Sequence, residues 1–170
     1  HQPGGAGRRP NGIEYAAFGL TWRAYGADIV RAIAGGPVGG AVQATVLDLV
    51  DRTLVQPIDA HDNGQLLVRN GEPAFAGVAP LTISNVISMF NPLNVDASNA
   101  DAFDAAFNAA VAVADSILCA VIRSAIARVN LETSLDAAIR AWANDGEDGL
   151  IVLDAYTPDW ERRVAEETTA

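Results

Sequence analysis

The chain has 170 residues, half of them hydrophobic and 19% charged, which suffices for one ordinary domain with a sizeable core. This composition excludes a disordered chain. The formal net charge is −10 and all eleven basic residues are arginines, so non-specific binding to a nucleic-acid backbone is not expected. A bound metal cation would reverse the local electrostatics and accept phosphate.

The ends of the chain and its cysteine content bear on its compartment. Cys119 is the single cysteine, so the chain cannot form an intrachain disulfide. It lies in an apolar helical run, which is typical of a small core residue. No signal peptide is recognisable, and no uninterrupted apolar run reaches the ~18 residues of a membrane span. We expect a soluble, cytoplasmic protein without membrane contact. The chain begins at His1 in a glycine-rich loop, and we expect it to be an internal piece of a longer protein.

Hydrophobic periodicity predicts two helices in the first part of the chain. The first runs from Ile13 and ends near Ala34, before a Gly-Gly-Pro sequence. The second covers Val38 to Val55, and Pro57 is expected to terminate it. After residue 65, a short apolar run and a turn leave a brief strand and a long loop as alternatives.

The second part of the chain is also expected to be helical. Thr82 is a plausible N-cap for a short helix, and the longest helix covers about Asp101 to Val129. Thr133-Ser134 is expected to start another helix, residues 150–153 a strand, and Pro158 a last helix. The chain is thus predicted to be mainly α-helical with one or two short strands, which is typical of part of an α/β protein.

A polar cluster follows the second predicted helix, in Pro57–Gln65. It places two carboxylates, Asp59 and Asp62, around the imidazole of His61 and closes on Gly64. Carboxylate oxygens and an imidazole nitrogen are ligands for a divalent metal. The alternative is a polar turn, because Asp, Asn and Gly are the usual turn formers.

Other catalytic signatures are missing from the sequence. There is no nucleophile elbow, phosphate-binding loop, dinucleotide fingerprint or CxxC pair. His1 and His61 are the two histidines, which excludes a three-histidine zinc site within the chain. A serine triad would have to use His61, but nothing positions a serine beside it.

Three segments resemble one known family in the same order along the chain. They are His1-Gln2, the block Gly12–Gly26 with the sequence GIEYAAFGLTWRAYG, and the block Val55–Gly64 with the sequence VQPIDAHDNG. These resemble the region after the Asp-His-His-Gln signature, and the second aspartate motif, of the Myg-type proteins. That family belongs to the DHH superfamily of metal-dependent phosphoesterases and is linked to RNA exonuclease activity.

The resemblance implies a fold, a reaction and a ligand set. The fold would be α/β, with residues 1–154 forming the C-terminal part of a DHH-type domain and residues 155–170 starting a following helix or linker. The reaction would be phosphodiester hydrolysis on a nucleotide or RNA substrate by water activated at two divalent ions, manganese or alternatively magnesium. His1, Asp59 and Asp62 would be metal ligands, with Asp59 the catalytic one. The family's other ligands would lie upstream of His1, so this chain alone is expected to be inactive.

The remaining candidate residues would contact the substrate. His61 stands where family members often have a small aliphatic residue, and it is open between metal ligand, phosphate contact and exposed side chain. Arg8 and Arg9, in the glycine-rich loop, are candidates for phosphate contact, with plain solvent exposure as the alternative.

A second hypothesis belongs to a different functional class. The large alanine- and valine-rich helical surface would also suit a non-catalytic interaction or oligomerisation module. Homo-oligomerisation is left open under both hypotheses.

Overall fold

The structure is a computed structural model that describes residues 7–65, 81–93, 95–96, 98–144, 151, 153, 156 and 160–167. Its elements are α1 (Ala17–Ala34), α2 (Gly40–Val50), a π-helical turn (Asp51–Val55), α3 (Gln56–Asp62), α4 (Ile83–Ser88), α5 (Ala100–Asn144) and α6 (Trp160–Glu167). The prediction of a mainly α-helical chain is confirmed. Within the described ranges no strand occurs, only an isolated antiparallel bridge between Arg8 and Glu14. Of the strand expected at 150–153, residues 150 and 152 lie outside the described part of the chain, and residues 151 and 153 are not in a strand.

The first helix ends where the sequence predicted and begins four residues later. Gly35 ends α1 at a φ of 75°, and its N–H bonds back to the carbonyls of the last turn. Ile13 is not helical, because its carbonyl accepts the N–H of Arg9 in a tight loop at 2.9 Å. We call residues Gly7–Tyr15 the N-terminal loop.

Pro57 does not terminate the second helix, contrary to the prediction. The chain passes through the π-helical turn, where the N–H of Gln56 bonds to the carbonyl of Asp51, and continues as α3 with proline in its first turn. A proline ring clashes with the carbonyl four residues earlier and lacks an N–H to bond it. The wider π-helical turn accommodates both effects at Thr53. Asp59, His61 and Asp62 therefore lie on a helix, and the turn expected in the polar cluster is confined to Asn63-Gly64, which follow it.

The later helices match the prediction at one point and differ at another. Thr82 caps α4, with the N–H of Asn85 donating to its hydroxyl at 3.1 Å and its own N–H donating to the Asn85 side chain at 3.0 Å. The expected break at Thr133-Ser134 is absent, since α5 is continuous. The hydroxyl of Thr133 is satisfied inside the helix by the carbonyl of Val129 at 2.8 Å.

The hydrophobic core lies between α1, α2 and the middle of α5. Trp22, Val46 and Ile122 are buried at its centre, and the indole N–H of Trp22 donates to the carbonyl of Leu47 at 3.3 Å. Gly26 allows this packing, because a Cβ there would lie 3.0 Å from the Trp22 ring and 3.1 Å from Leu47. The core thus fixes α1 against α2, and through the π-helical turn it fixes α3.

The N-terminal half of α5 is much less covered than its middle. Phe107 and Val111 are exposed, while Ile122 and Val129 are buried. By length and composition alone, the segment Ala100–Ala143 would be able to cross a membrane. A single such helix is weak support for a membrane span, because core helices and signal sequences pass the same test.

Candidate functional site

A buried ion pair joins the N-terminal loop to α3 and α1. Asp59 is fully buried, and its Oδ2 lies 2.8 Å from Nη1 of Arg9, whose side chain is 4% exposed. Its Oδ1 accepts the N–H of Gly19, in the first turn of α1, at 2.9 Å. The carboxylate therefore satisfies an unpaired donor at a helix N-terminus, where a negative charge is favourable.

Arg9 has a second carboxylate partner at the start of the π-helical turn. Its Nε and Nη2 donate to the two oxygens of Asp51 at 3.1 and 2.9 Å, a bidentate arrangement. Gln56 donates to Asp51 at 2.7 Å and accepts from Asn11 at 2.7 Å. Burial opposes the charge on Arg9, but hydrogen bonds and the charges of Asp51 and Asp59 hold its pKa above the ordinary value.

The end of α3 is bonded to the same loop. The side-chain amide of Asn63 donates to the carbonyl of Glu14 at 3.1 Å. The amide of Gln65 donates to the carbonyl of Gly12 at 3.2 Å, and its oxygen accepts the N–H of Glu14 at 2.9 Å. The polar cluster thus serves in part to fix the N-terminal loop.

A groove of about 870 Å³ opens on the other side of α3. His61 and Asp62, both exposed, line one wall at the C-terminal end of α3. The other walls come from α4 and the N-terminal half of α5 and include Ile87, Phe103 and Phe107. The groove is therefore largely apolar, with a carboxylate and an imidazole at one edge.

The structure separates the residues that the sequence grouped together. Asp62 and His61 face the groove, whereas Asp59 is enclosed with Arg9. Arg9 is thus engaged by carboxylates, and the exposed Arg8 pairs with Glu14. His1 lies outside the described residues.

The described residues do not by themselves fit the two-metal centre that the resemblance implies. They contain no group of three or more His, Cys, Asp or Glu side chains able to hold a metal ion. Asp59 is the leading candidate ligand, but the Arg9 guanidinium rather than open space lies beside its Oδ2. Asp62 and His61 supply two suitable donors, so other ligands would have to come from outside the described part of the chain.

Sequence reasoning missed the aromatic contacts of the N-terminal loop. The guanidinium carbon of Arg9 lies 4.1 Å from the ring centroid of Tyr15, and that of Arg23 lies 4.8 Å from it. Tyr15 and Arg23 are eight positions apart across a helix start, so helical periodicity gives no signal for this contact. The pairing of Asp51 with Arg9, 42 positions earlier, likewise leaves no local pattern in the sequence.

Comparison with known proteins gives one family match. The family model MYG1_exonuc, described as "Uncharacterised protein family (UPF0160)", matches residues 1–169. No curated protein and no solved structure matches the chain significantly.

Proposed function

The chain belongs to this MYG1_exonuc family, and from that membership we propose that it is part of a divalent-metal-dependent phosphodiesterase that degrades RNA as a 3′-5′ exonuclease. The single observation that carries the proposal is the match over residues 1–169 to a family whose name indicates exonuclease-like function. The Myg-type resemblance in the blocks Gly12–Gly26 and Val55–Gly64 agrees with it.

The groove edge supports this proposal through the chemistry of two side chains. The carboxylate of Asp62 and the imidazole of His61 are exposed beside a concave surface, where a ligand has access to both. A divalent ion bound there, manganese or magnesium, would supply charge stabilisation for the phosphodiester and lower the pKa of a bound water. Asp62 and His61 would hold the ion, with His1 a further candidate ligand.

The net charge of −10 makes metal dependence part of the proposal. A strongly negative protein repels a polyanion at long range, so an RNA strand needs a local positive charge to bind. Arg8 and Arg9 pair with carboxylates, which leaves them less available to phosphate. A metal ion at the edge of the groove would provide the missing positive charge.

The test is hydrolysis of a labelled single-stranded RNA by the complete gene product, with Mn²⁺ and with EDTA. We expect release of mononucleotides from the 3′ end with Mn²⁺ and none with EDTA. Asp62→Asn should lower the rate at least about 100-fold, because even outer-shell changes at metal sites cost about 10–100-fold. Asp48→Asn removes the same charge at an exposed position on α2 and should leave the rate unchanged. Equal rates for both variants would reject Asp62 as a ligand.

The second candidate function is a non-catalytic interaction module, and the exposed face of α5 favours it. Phe107 is 67% exposed and Phe103 43%, although both are large apolar residues beside the groove. Contiguous exposed apolar surface marks protein contact sites. If the face binds a second copy of the chain, light scattering should give a dimer mass that Phe107→Glu lowers to the monomer mass. Asn130→Glu, an exposed change of equal charge elsewhere on α5, should not alter it. A monomer at all concentrations would reject self-association.

A further inference from the structure

Asp59 has the environment of a structural carboxylate. Its Oδ1 accepts a backbone N–H at 2.9 Å and its Oδ2 faces the Arg9 guanidinium at 2.8 Å. It is fully buried, and it does not line the groove that His61 and Asp62 border. The contact between Oδ2 and Nη1 of Arg9 is an ion pair without hydrogen-bond geometry, and among the described residues neither atom has a hydrogen-bond partner.

We infer that Asp59 is a positioning residue and not a metal ligand: it holds Arg9, and through Arg9 the N-terminal loop Gly7–Tyr15, against the first turn of α1. The inference rests on the proposed function in one respect, since it leaves the exposed Asp62 as the aspartate available to a metal. The two aspartates of the polar cluster would then have different tasks, one structural and one chemical.

Charge balance supports this division. The guanidinium of Arg9 is already placed between two carboxylates, those of Asp51 and Asp59. A divalent cation bound to Asp59 would have to displace this guanidinium or lie beside its positive charge, and the N-terminus of α1 adds further positive potential. One rigid guanidinium makes both contacts, so moving it away from Asp59 would also disturb its bidentate bonds to Asp51, and the displacement is opposed.

The packing around Asp59 supports it as well. A Cβ at Gly19 would lie 1.9 Å from Oδ2 of Asp59 and 2.7 Å from Nη2 of Arg9. The glycine therefore makes room for the ion pair, and the space beside Oδ2 is filled by the guanidinium. The loop is fixed at further points, where Asn63 and Gln65 bond to the backbone of Glu14 and Gly12.

The first test follows the side-chain carboxyl ¹³C signals of the complete wild-type gene product by NMR while Mg²⁺, a diamagnetic ion, is added. The signals of Asp59 and Asp62 are assigned from the spectra of Asp59→Asn and Asp62→Asn. We expect a saturable shift of the Asp62 signal, with the Asp59 carboxyl and the Gly19 amide unchanged. A saturable shift of Asp59 together with the Gly19 amide would overturn the inference. If neither aspartate responds, the proposed metal role of Asp62 fails, and the coupling measured in the second test decides the inference for Asp59.

The second test measures the coupling of Asp59 to Arg9 and to the loop. Arg9→Gln and Asp59→Asn should each shift the backbone amide signals of the N-terminal loop, and the double variant should shift them no further than one substitution does. The matched control is the exposed ion pair between Asp48 in α2 and Arg52 in the π-helical turn. Substitutions in this pair should show no such coupling. Additive effects of the two buried substitutions would contradict the inference. If Asp59→Asn does not fold, Asp62 is assigned from its own variant, the Gly19 amide from backbone experiments, and the wild-type titration still decides.

Discussion

Gly19 is the residue at which α1, Arg9 and Asp59 meet, and it is a sensitive point of the buried network. Alanine is about 1 kcal/mol better than glycine inside a helix. The new methyl group would nevertheless overlap Oδ2 of Asp59, 1.9 Å away, and push the ion pair apart. We expect Gly19→Ala to lower the free energy of unfolding by about 3–5 kcal/mol, the cost of breaking a buried pair.

Urea denaturation would measure this loss, and Gly40→Ala is its control. Gly40 is the first residue of α2, and nothing lies within 4 Å of a Cβ built there. The control should therefore be neutral or slightly stabilising. A Gly19→Ala variant as stable as the wild-type protein would mean that the network does not contribute as its geometry indicates.

Asp96 gives a prediction about pH. The hydroxyl and N–H of Ser98 donate to its Oδ1 at 2.7 and 2.8 Å, and these bonds lower the pKa of Asp96 from its ordinary value. A lowered folded-state pKa contributes stability above the ordinary pKa, and the contribution is lost as the pH falls through the folded-state pKa. Ser98→Ala should therefore raise the pKa of Asp96, measured by NMR titration, and be less stable than wild type at neutral pH but not in strong acid. An unchanged pKa would contradict this role of Ser98.

At the residue level, the sequence could not predict that Asp59 is buried and Asp62 exposed. Both aspartates lie in one short polar cluster, and the sequence favoured Asp59 because it matched the family motif. Which of them is exposed depends on Arg9 and Gly19, which lie 50 and 40 positions earlier in the chain. Such long-range partners leave no periodic pattern, so the sequence could identify the cluster but not its buried member.

Sequence signals at helix ends were reliable where a capping residue was present. Gly35 at the end of α1 and Thr82 at the start of α4 both act as predicted. Pro57 and Thr133 were expected to mark helix boundaries, but at each of them the local backbone allows the helix to continue. A π-helical turn accommodates the proline, and a bond to the carbonyl four residues earlier satisfies the threonine. Tertiary packing along α2 and α5 makes these continuous helices favourable.

The capping box of α4 gives a prediction for this short helix. Thr82→Ala removes the hydroxyl that accepts the N–H of Asn85, which should cost about 1 kcal/mol. Thr82→Ser keeps the hydroxyl and should retain the stability of the helix. Amide hydrogen exchange across residues 83–88 is the appropriate measurement, because a helix of six residues frays locally before the domain unfolds. Equal exchange in the two variants would show that the cap does not stabilise α4.

At the scale of the whole molecule, α5 has two regions with different surroundings. Its middle is enclosed by α1 and α2, while its N-terminal half contacts α4 and borders the groove. The family match covers both regions, so the exposed half belongs to the same evolutionary unit as the core. The exposed apolar walls of the groove are accessible to a ligand or a protein partner.

This difference predicts that two side-chain truncations on the same helix change the free energy of unfolding by very different amounts. Ile122 is fully buried in the core, so Ile122→Ala should lower the free energy of unfolding by about 2–5 kcal/mol. Phe107 is 67% exposed, so Phe107→Ala should change it by no more than about 0.5 kcal/mol, although a larger side chain is removed. Chemical denaturation of both variants at several protein concentrations would test this. A large, concentration-dependent loss for Phe107→Ala would instead mean that a second copy covers this face in solution, because a dimer interface adds stability that depends on concentration.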